Sequence, residues 1–346
     1  MIKLLKEVAR GKRGARDLTY EEAAEAAEAI LSLKATPAQI GAFFIAERIK
    51  LESVEELEAF VHACRKYADR SESRQGLDCA GPYDGRKASF YATFATSFVL
   101  AAAGVPVTLH GTASLPPKWG ITLQDIISAS GIDLAACSRE GSLRAAGDTG
   151  VLYAMSELWC PPLGGLRQIR EELGMRTVLN TAEKLIDYTL SPYLAFGVYH
   201  NTVFDRSARL LSKLGYRKAL IVQGAEGSED LFIDRPTRVY VVENGDFRLQ
   251  IIDPESLGLE APLPNQEWTA QEQLATTIAV LQGEADIAYI NQVLLNGAAR
   301  LRLTDRVGSL EEGVYTCKAL LDSGAALAAY ESWRSALLGQ NTAIGQ

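Results

Sequence analysis

The sequence predicts an α/β fold in two parts, a small all-helical domain followed by a larger α/β domain with a central, mainly parallel sheet. Three observations lead to this prediction. Apolar positions recur at helical spacing from Thr19 to Tyr67, helices and strands alternate after that, and Gly and Pro collect at the joints. With 346 residues, 47% of them hydrophobic, the chain is long enough to form two buried cores.

The first part is rich in Ala, Glu and Leu and carries three helix-start signals. These signals are the pairs Thr19 with Glu22, Ser53 with Glu56, and Thr36 with Pro37. The first two match a capping box, and proline fits the first turn of a helix. We therefore expect three or four short helices packed together.

Between Arg70 and Gly85 the helical periodicity stops and Ser, Gly, Asp and Pro accumulate, which indicates a domain junction. Beyond it the pattern favours parallel βαβ units. The predicted helices cover 90–104, 121–130, 205–214 and 271–281, and the predicted strands cover 105–110, 218–223 and 238–243.

The segment 166–188 again looks helical, so we expect an insertion from the middle of the chain to complete the helical domain. The domain bounds that follow are 1–74 with about 166–190 for the helical domain, and 75–165 with 191–346 for the α/β domain.

Composition narrows the classes of function. The formal charge of −8 gives no global attraction to nucleic acid or to an anionic membrane surface, so a phosphate ligand must be held locally. Five cysteines form no CxxC pair and no cluster with histidine, which predicts a reduced cytoplasmic protein without structural zinc. The sequence has no stretch of 18 uninterrupted apolar residues, so we expect no membrane span.

A glycine-containing loop at 80–85 precedes the helix predicted at 90–104. Backbone N–H groups at a helix N-terminus bind anions, so this loop is a candidate phosphate site, although an ordinary βα turn has the same pattern. A second turn follows the strand predicted at 105–110 and carries His110 and Lys118. Ligands collect beyond the carboxyl ends of parallel strands, but a capped loop with an exposed lysine is the alternative.

Two further features could carry chemistry. Glu229 and Asp230 lie on a loop after an apolar strand, where adjacent carboxylates can hold Mg²⁺ or simply be solvated. Arg170 lies on a predicted helix, where its guanidinium could bind a substrate carboxylate or pair with Glu171 or Glu172. No GxSxG, HExxH or Walker A pattern is present, which disfavours hydrolase, zinc-protease and P-loop functions.

Taken in order, several motifs resemble the anthranilate phosphoribosyltransferase family, which includes the pyrimidine nucleoside phosphorylases. The chain has AGPYDG, SFYAT and LHGTASLPPKWG where the family has GTGGDG, TFNIST and KHGNRS…SSKSG. Further matches are IREELGMRT at 169–177, Asn296 in NGAA, and SLEEG at 309–313. The similarity spans nearly the whole chain.

The resemblance implies transfer of a phosphoribosyl group from phosphoribosyl pyrophosphate to a nitrogen nucleophile, with no dedicated general base. It also implies Mg²⁺ on Glu229 and Asp230 and a homodimer formed through the helical domain. The phosphate- and substrate-binding residues that it implies are Gly81, Asp84, Gly85, Ser89, Thr93, His110, Lys118, Gly120 and Arg170.

The chain departs from the family at the ligand. Ala80, Pro82 and Tyr83 replace loop glycines, and Pro82 also removes an N–H donor. One extra residue follows Gly85, and Cys160 stands where the family has histidine. These exchanges argue against ordinary anthranilate turnover.

The segments RGKRGARDL, PYDGRK, CPPL and NTAEKL resemble a divergent bacterial branch of the family, which implies a catalytically inactive dimer that binds single-stranded nucleic acid. The residues that would contact the nucleic acid are Lys12, Arg13, Arg16, Arg86 and Lys87. The acidic balance of the chain weakens this alternative, and a solvated helix face explains the basic N-terminus equally well.

Overall fold

The computed structural model describes residues 1–11, 13–71 and 76–343. It contains a helical part and an α/β part with a mainly parallel sheet, which confirms the predicted fold class. The helical part begins with α1 (Ile2–Val8), α2 (Tyr20–Leu31), α3 (Pro37–Lys50) and α4 (Val54–Tyr67). The predicted domain boundary between 74 and 75 lies outside the described residues.

The helix starts predicted at Thr19, Thr36 and Ser53 are confirmed. In each case the side-chain oxygen accepts a hydrogen bond from the backbone N–H three residues later, and a Glu or Gln side chain accepts one from the backbone N–H of the cap. The apolar faces of α3 and α4 meet where the rings of Phe43 and Phe60 stack with centroids 6.0 Å apart. Local capping therefore sets the ends of these helices, and burial of one face holds them together.

Seven strands form one sheet in the order β3-β2-β1-β4-β5-β6-β7. They are β1 (Leu77–Ala80), β2 (Val107–Gly111), β3 (Val151–Met155), β4 (Tyr193–Gly197), β5 (Lys218–Val222), β6 (Thr237–Glu243) and β7 (Asp246–Ile252). The first five strands in this order are parallel, whereas β6 and β7 pair in the antiparallel sense. The three predicted strands are confirmed to within two residues at each end.

Helices cover both faces of the sheet and extend the helical part. They are α5 (Ala92–Ala102), α6 (Leu123–Ala129), α7 (Arg139–Thr149), α8 (Ser156–Trp159), α9 (Pro161–Gly165), α10 (Arg167–Leu173), α11 (Leu179–Ala182), α12 (Phe204–Lys213), α13 (Ala270–Gln282), α14 (Ile287–Leu303), α15 (Leu310–Asp322) and α16 (Ala325–Ala343). The four helices predicted after the junction correspond to α5, α6, α12 and α13. None of these helices, within the described ranges, is both long and apolar enough to cross a membrane.

The segment predicted as helical at 166–188 is broken into short pieces. Gly174 ends α10 in the left-handed region, with φ 65°, and α11 follows after a turn. Buried side chains of this segment, among them Leu166 and Leu179, belong to the same apolar cluster as Phe43 and Phe60 of the first four helices. The middle of the chain thus packs against the N-terminal helices.

The carboxyl ends of the parallel strands place several loops at one edge of the sheet. β1, β2, β4 and β5 end at Ala80, Gly111, Gly197 and Val222. The segments 81–91, 112–122, 198–203 and 223–236 follow them directly. All the loops singled out in the sequence therefore lie at this edge, which is where open α/β sheets bind ligands.

A buried acid in α3 leads to the first testable prediction. Glu47 lies beside Glu56 and Lys50, whose ammonium group is 2.6 Å from Glu56 and 3.5 Å from Glu47. Burial raises the pKa of Glu47 from 4.5 to about 8. Because the folded state then retains a proton that the unfolded state has lost, the free energy of unfolding should fall as pH rises from 4.5 to 8.

We expect Glu47→Gln to raise the free energy of unfolding by about 1–2 kcal/mol at pH 9 and to flatten its pH dependence. Urea unfolding at pH 6 and pH 9 measures both effects. Glu25→Gln, at an exposed position of α2, is the matched control. An unchanged pH dependence in Glu47→Gln would contradict this prediction.

Candidate functional site

The loops after β1 and β2 are joined by their backbones. Gly120 donates to the Asp84 carbonyl at 3.0 Å, and Arg86 and Ile121 exchange two backbone hydrogen bonds of 2.8 Å. Gly85 has φ 76°, and a Cβ on Gly85 or on Gly120 would collide with the backbone of the other loop. The two family-matching glycines thus allow a close approach between the loops.

Asp84 and Lys118, both predicted site residues, are brought together. The Asp84 carboxylate lies 3.2 Å from the Lys118 ammonium and 2.8 Å from the guanidinium of Arg176. Lys118 also donates to the Glu226 carbonyl at 2.9 Å. Burial lowers the pKa of Lys118, although Asp84 opposes this shift.

The predicted anion site at Ser89 holds a carboxylate of the chain itself. Glu226 accepts hydrogen bonds from the backbone N–H groups of Lys87 at 2.8 Å and Ala88 at 3.0 Å, and from the Ser89 hydroxyl at 2.7 Å. Burial favours a higher pKa for Glu226, but these hydrogen bonds outweigh it and lower the pKa. These donors suit an anion, and no signal in the sequence indicated that Glu226 would occupy them.

Glu229 and Asp230 are buried and paired with arginines. The Asp230 carboxylate lies 2.6 Å from the Arg86 guanidinium and 2.9 Å from that of Arg300, and it accepts a 3.2 Å hydrogen bond from the Thr93 backbone. Glu229 is 3.7 Å from Arg86. A Cβ on Gly81 would be 2.6 Å from the Glu229 carboxylate, so this loop glycine makes room for a protein side chain.

This arrangement does not fit Mg²⁺. Mg²⁺ requires octahedral oxygen ligands and usually keeps several water molecules, whereas Glu229 and Asp230 are only 2% and 1% exposed and face two guanidinium groups. Within the described ranges, His, Cys, Asp and Glu form no group of three or more that could hold a metal ion. In this structure the two carboxylates predicted to hold magnesium face arginine side chains instead.

Arg170 is also paired with a carboxylate of the chain itself. Its guanidinium makes two hydrogen bonds to the Glu183 carboxylate, at 2.6 and 2.9 Å, and both side chains are buried. Arg170 does not pair with Glu171 or Glu172, which the sequence offered as alternative partners. In this structure the guanidinium fork of Arg170 holds a carboxylate of the chain itself.

His110 belongs to a buried network that includes the exchanged loop residue Tyr83. The His110 ring lies 3.0 Å from Asp78 and 2.6 Å from the Tyr83 hydroxyl, which accepts a 2.6 Å hydrogen bond from Ser156. Tyr83 also donates to the Glu183 carbonyl at 3.2 Å. Burial raises the pKa of Tyr83 well above its usual value, so it stays protonated. Tyr83 therefore fills buried space beneath the loop, and its hydroxyl occupies the Nδ1 atom of His110.

A cavity of about 160 Å³ lies beside this loop, and three basic side chains contribute to its wall. Its cationic members are Arg176, Lys184 and Arg206, and Asp84 is the one carboxylate among the described lining residues. Lys184 donates to the Gly197 carbonyl at 2.7 Å, and burial lowers its pKa to about 8. An excess of positive charge in a small concave space favours an anion. Lys184 was not identified from the sequence, where it lies in a helical-looking segment.

A larger cavity of about 820 Å³ lies next to the first, and Tyr199 and His200 line both. Its wall includes the ring cluster of Phe90, Trp268 and Tyr289, whose centroids are 5.2 to 5.8 Å apart. Gln292 also lines this cavity, and its buried amide oxygen has no hydrogen-bond partner among the described residues. Such a wall suits a planar ligand with a hydrogen-bond donor.

The residues predicted to contact nucleic acid differ in how exposed they are and in whether they are already paired. Arg86 is 1% exposed, so it does not contact a nucleic-acid backbone, and this prediction is corrected. Arg16 is paired with Glu7 at 3.1 Å and with Glu22 at 2.7 Å. Arg13 and Lys87 are exposed, and Lys12 lies outside the described residues.

Comparison with known proteins covers both parts of the chain. Residues 2–68 match a family described as the glycosyl transferase family, helical bundle domain, and residues 80–327 match the glycosyl transferase family, a/b domain. The anthranilate phosphoribosyltransferase of Thermomicrobium roseum is 34% identical over 90% of each chain. The enzyme of the same name from Symbiobacterium thermophilum is 32% identical over 96% of this chain and 97% of its own.

Solved structures have the same fold. Anthranilate phosphoribosyltransferase from Thermus thermophilus superimposes with a TM-score of 0.81 at 25% identity, covering 96% of this chain and 99% of its own. The Saccharomyces cerevisiae enzyme, in complex with PRPP and Mg, gives a TM-score of 0.82 at 18% identity, with 98% of both chains covered.

Proposed function

This chain belongs to the glycosyl transferase family that contains the anthranilate phosphoribosyltransferases, and from that premise we propose that it transfers a phosphoribosyl group to a planar nitrogen nucleophile other than anthranilate. The donor would be phosphoribosyl pyrophosphate or a closely related sugar phosphate. The observation that carries the proposal is the basic wall of the 160 Å³ cavity at the carboxyl edge of the sheet.

The smaller cavity supports the donor part of the proposal. Arg176 and Lys184 face it from the helical part, and Lys118 is tied to the same carboxylate, Asp84, as Arg176. The wall of the cavity carries three cations and one carboxylate, which leaves an excess of positive charge for phosphate groups. Electrostatic stabilisation of the leaving pyrophosphate is the largest contribution that such a site makes to catalysis.

The larger cavity supports the acceptor part. Its aromatic rings would stack on a planar acceptor, and the unpaired Gln292 oxygen would accept a hydrogen bond from an acceptor N–H group. Anthranilate fits less well, because Arg170 is held by Glu183 and Tyr83 fills the space next to His110. The two cavities are adjacent, so donor and acceptor would lie side by side.

In the proposed transfer, the bond broken and the bond formed balance without a step on a cofactor. The bond between the ribose C1 and the pyrophosphate oxygen breaks, the acceptor nitrogen forms a new bond to C1, and the nitrogen proton leaves to solvent or to pyrophosphate. Pyrophosphate is a good leaving group, so positioning and charge stabilisation can supply most of the rate.

Lys184→Met should weaken binding of phosphoribosyl pyrophosphate about ten- to hundredfold, because it removes one charged donor from the cavity. Isothermal titration calorimetry measures the affinity, and Lys184→Arg is the control that keeps the charge. Wild-type affinity should also fall as pH rises through about 8, since Lys184 then loses its proton. Equal affinities for wild type and Lys184→Met would contradict the donor site.

The nucleic-acid alternative retains the exposed Arg13, Arg16 and Lys87, and Lys12 lies outside the described residues. A gel shift with single-stranded DNA at low and high salt tests it, because phosphate contacts weaken steeply with salt. Retention of the DNA at low salt, together with undetectable binding of phosphoribosyl pyrophosphate, would replace the transferase proposal with this one.

We also propose a homodimer through the helical domain. Ile49 and Leu51 at the end of α3 are 74% and 67% exposed, and they line an apolar groove with Val8 and Ala46. Such a face is usually covered by a partner. Light scattering of the purified protein at micromolar concentration would reveal a monomer if this proposal is wrong.

A further inference from the structure

We propose that the guanidinium group of Arg86 takes the place of a divalent cation at Glu229 and Asp230, so that this pair binds no metal ion. The inference concerns the acidic pair itself. It holds whether or not the adjacent cavities transfer a phosphoribosyl group.

The first argument is the charge of the cluster. Glu229 and Asp230 carry two negative charges, Arg86 and Arg300 carry two positive charges, and all four side chains are at most 2% exposed. The cluster is therefore neutral as it stands. In the ligand-free protein, a divalent ion added to it would leave two positive charges uncompensated in a buried space, which is strongly unfavourable.

The second argument is that Arg86 is fixed in place. Its guanidinium donates to the Phe90 carbonyl at 2.8 Å and to Asp230 at 2.6 Å, and it lies 3.9 Å from the centroid of the Tyr91 ring. Its backbone N–H and carbonyl are both hydrogen-bonded to Ile121. To admit a metal ion between the two carboxylates, the side chain would have to leave all of these partners.

The third argument is the origin of Arg86 in the sequence. The segment between Gly85 and Ser89 is one residue longer than in the family motif, and Arg86 is its first residue. The turn at Gly85, closed against Gly120, directs the chain so that this first side chain enters the acidic cluster. Tyr91, which packs on the guanidinium, stands where the family motif has asparagine. The longer loop brings the Arg86 guanidinium to the acidic pair, and the exchange of asparagine for Tyr91 supplies the ring that packs on it.

Manganese binding, followed by electron paramagnetic resonance, tests the inference without any catalytic readout. Wild-type protein should leave Mn²⁺ free at millimolar concentration. Arg86→Met should bind Mn²⁺ at least about tenfold more tightly, because it exposes the two carboxylates to a cation, whereas Arg86→Lys should restore the wild-type result. Arg144→Met, at an exposed position, controls for loss of an arginine.

Two outcomes would overturn the inference. One is Mn²⁺ binding by the wild-type protein that Asp230→Asn abolishes, since the pair would then hold a metal beside Arg86. The other is an Arg86→Met protein that is folded by circular dichroism yet binds no more Mn²⁺ than wild type. If Arg86→Met does not fold alone, refolding it with and without Mn²⁺ gives the answer, because recovery by the ion is the expected result.

Discussion

Arg170→Met is expected to lower the free energy of unfolding by about 3–5 kcal/mol, because it leaves the Glu183 carboxylate buried without its counter-charge. The pair is bidentate and both side chains are shielded from solvent, which is the setting where removal of one partner costs most. Urea unfolding at neutral pH measures the loss. Arg209→Met, at an exposed position of α12, should change stability by less than about 0.5 kcal/mol.

The double variant Arg170→Met/Glu183→Leu separates a structural role from a ligand-binding role. Replacing both partners with apolar side chains is often neutral, so this variant should recover most of the lost stability. Its affinity for phosphoribosyl pyrophosphate should match that of wild type, because neither side chain lines the two cavities. A large loss of ligand affinity in a stable double variant would return Arg170 to the binding site.

Tyr83→Ala is expected to cost about 3–5 kcal/mol of stability. The ring is buried, and its hydroxyl has three partners, in His110, Ser156 and Glu183. The substitution therefore opens a cavity and also leaves buried polar groups unpaired. Thermal and urea unfolding measure the total effect.

Tyr83→Phe divides that effect into its two causes. It keeps the ring and removes the hydroxyl, so it should cost only about 1–3 kcal/mol. Tyr315→Ala, where the tyrosine is 75% exposed, is the control for loss of an aromatic side chain and should be close to neutral. If Tyr83→Ala were as mild as Tyr315→Ala, the ring would not be filling the space beneath the loop.

Much of the fold could be predicted from the sequence because its signals are local. Thr19, Thr36 and Ser53 cap helices through bonds that span three residues, and strands such as β5 are short apolar runs between turns. Strands β1, β3, β4 and β7 were not predicted individually. Edge strand β7 is largely exposed, so it lacks the apolar run that reveals a buried strand.

The sequence predicted where the candidate site lies, but not which charged side chains pair with each other there. Gly81, Asp84, Ser89, Lys118 and Asp230 do lie at one edge of the sheet, because the parallel strands end there. The sequence also indicated the altered loop at Tyr83 and the extra residue after Gly85. It offered no means to tell whether each charged side chain faces a ligand or another side chain.

Only the tertiary structure decided those partners. Arg86 meets Asp230 across 144 positions of the chain, and Lys87 meets Glu226 across 139. Such pairs depend on how separate loops dock. The sequence by itself determined the two-part fold and the edge of the sheet where the loops gather, since capping and hydrophobic periodicity act over short stretches. Burial of a charge requires a partner, but which residue supplies it follows from the packing of the whole chain.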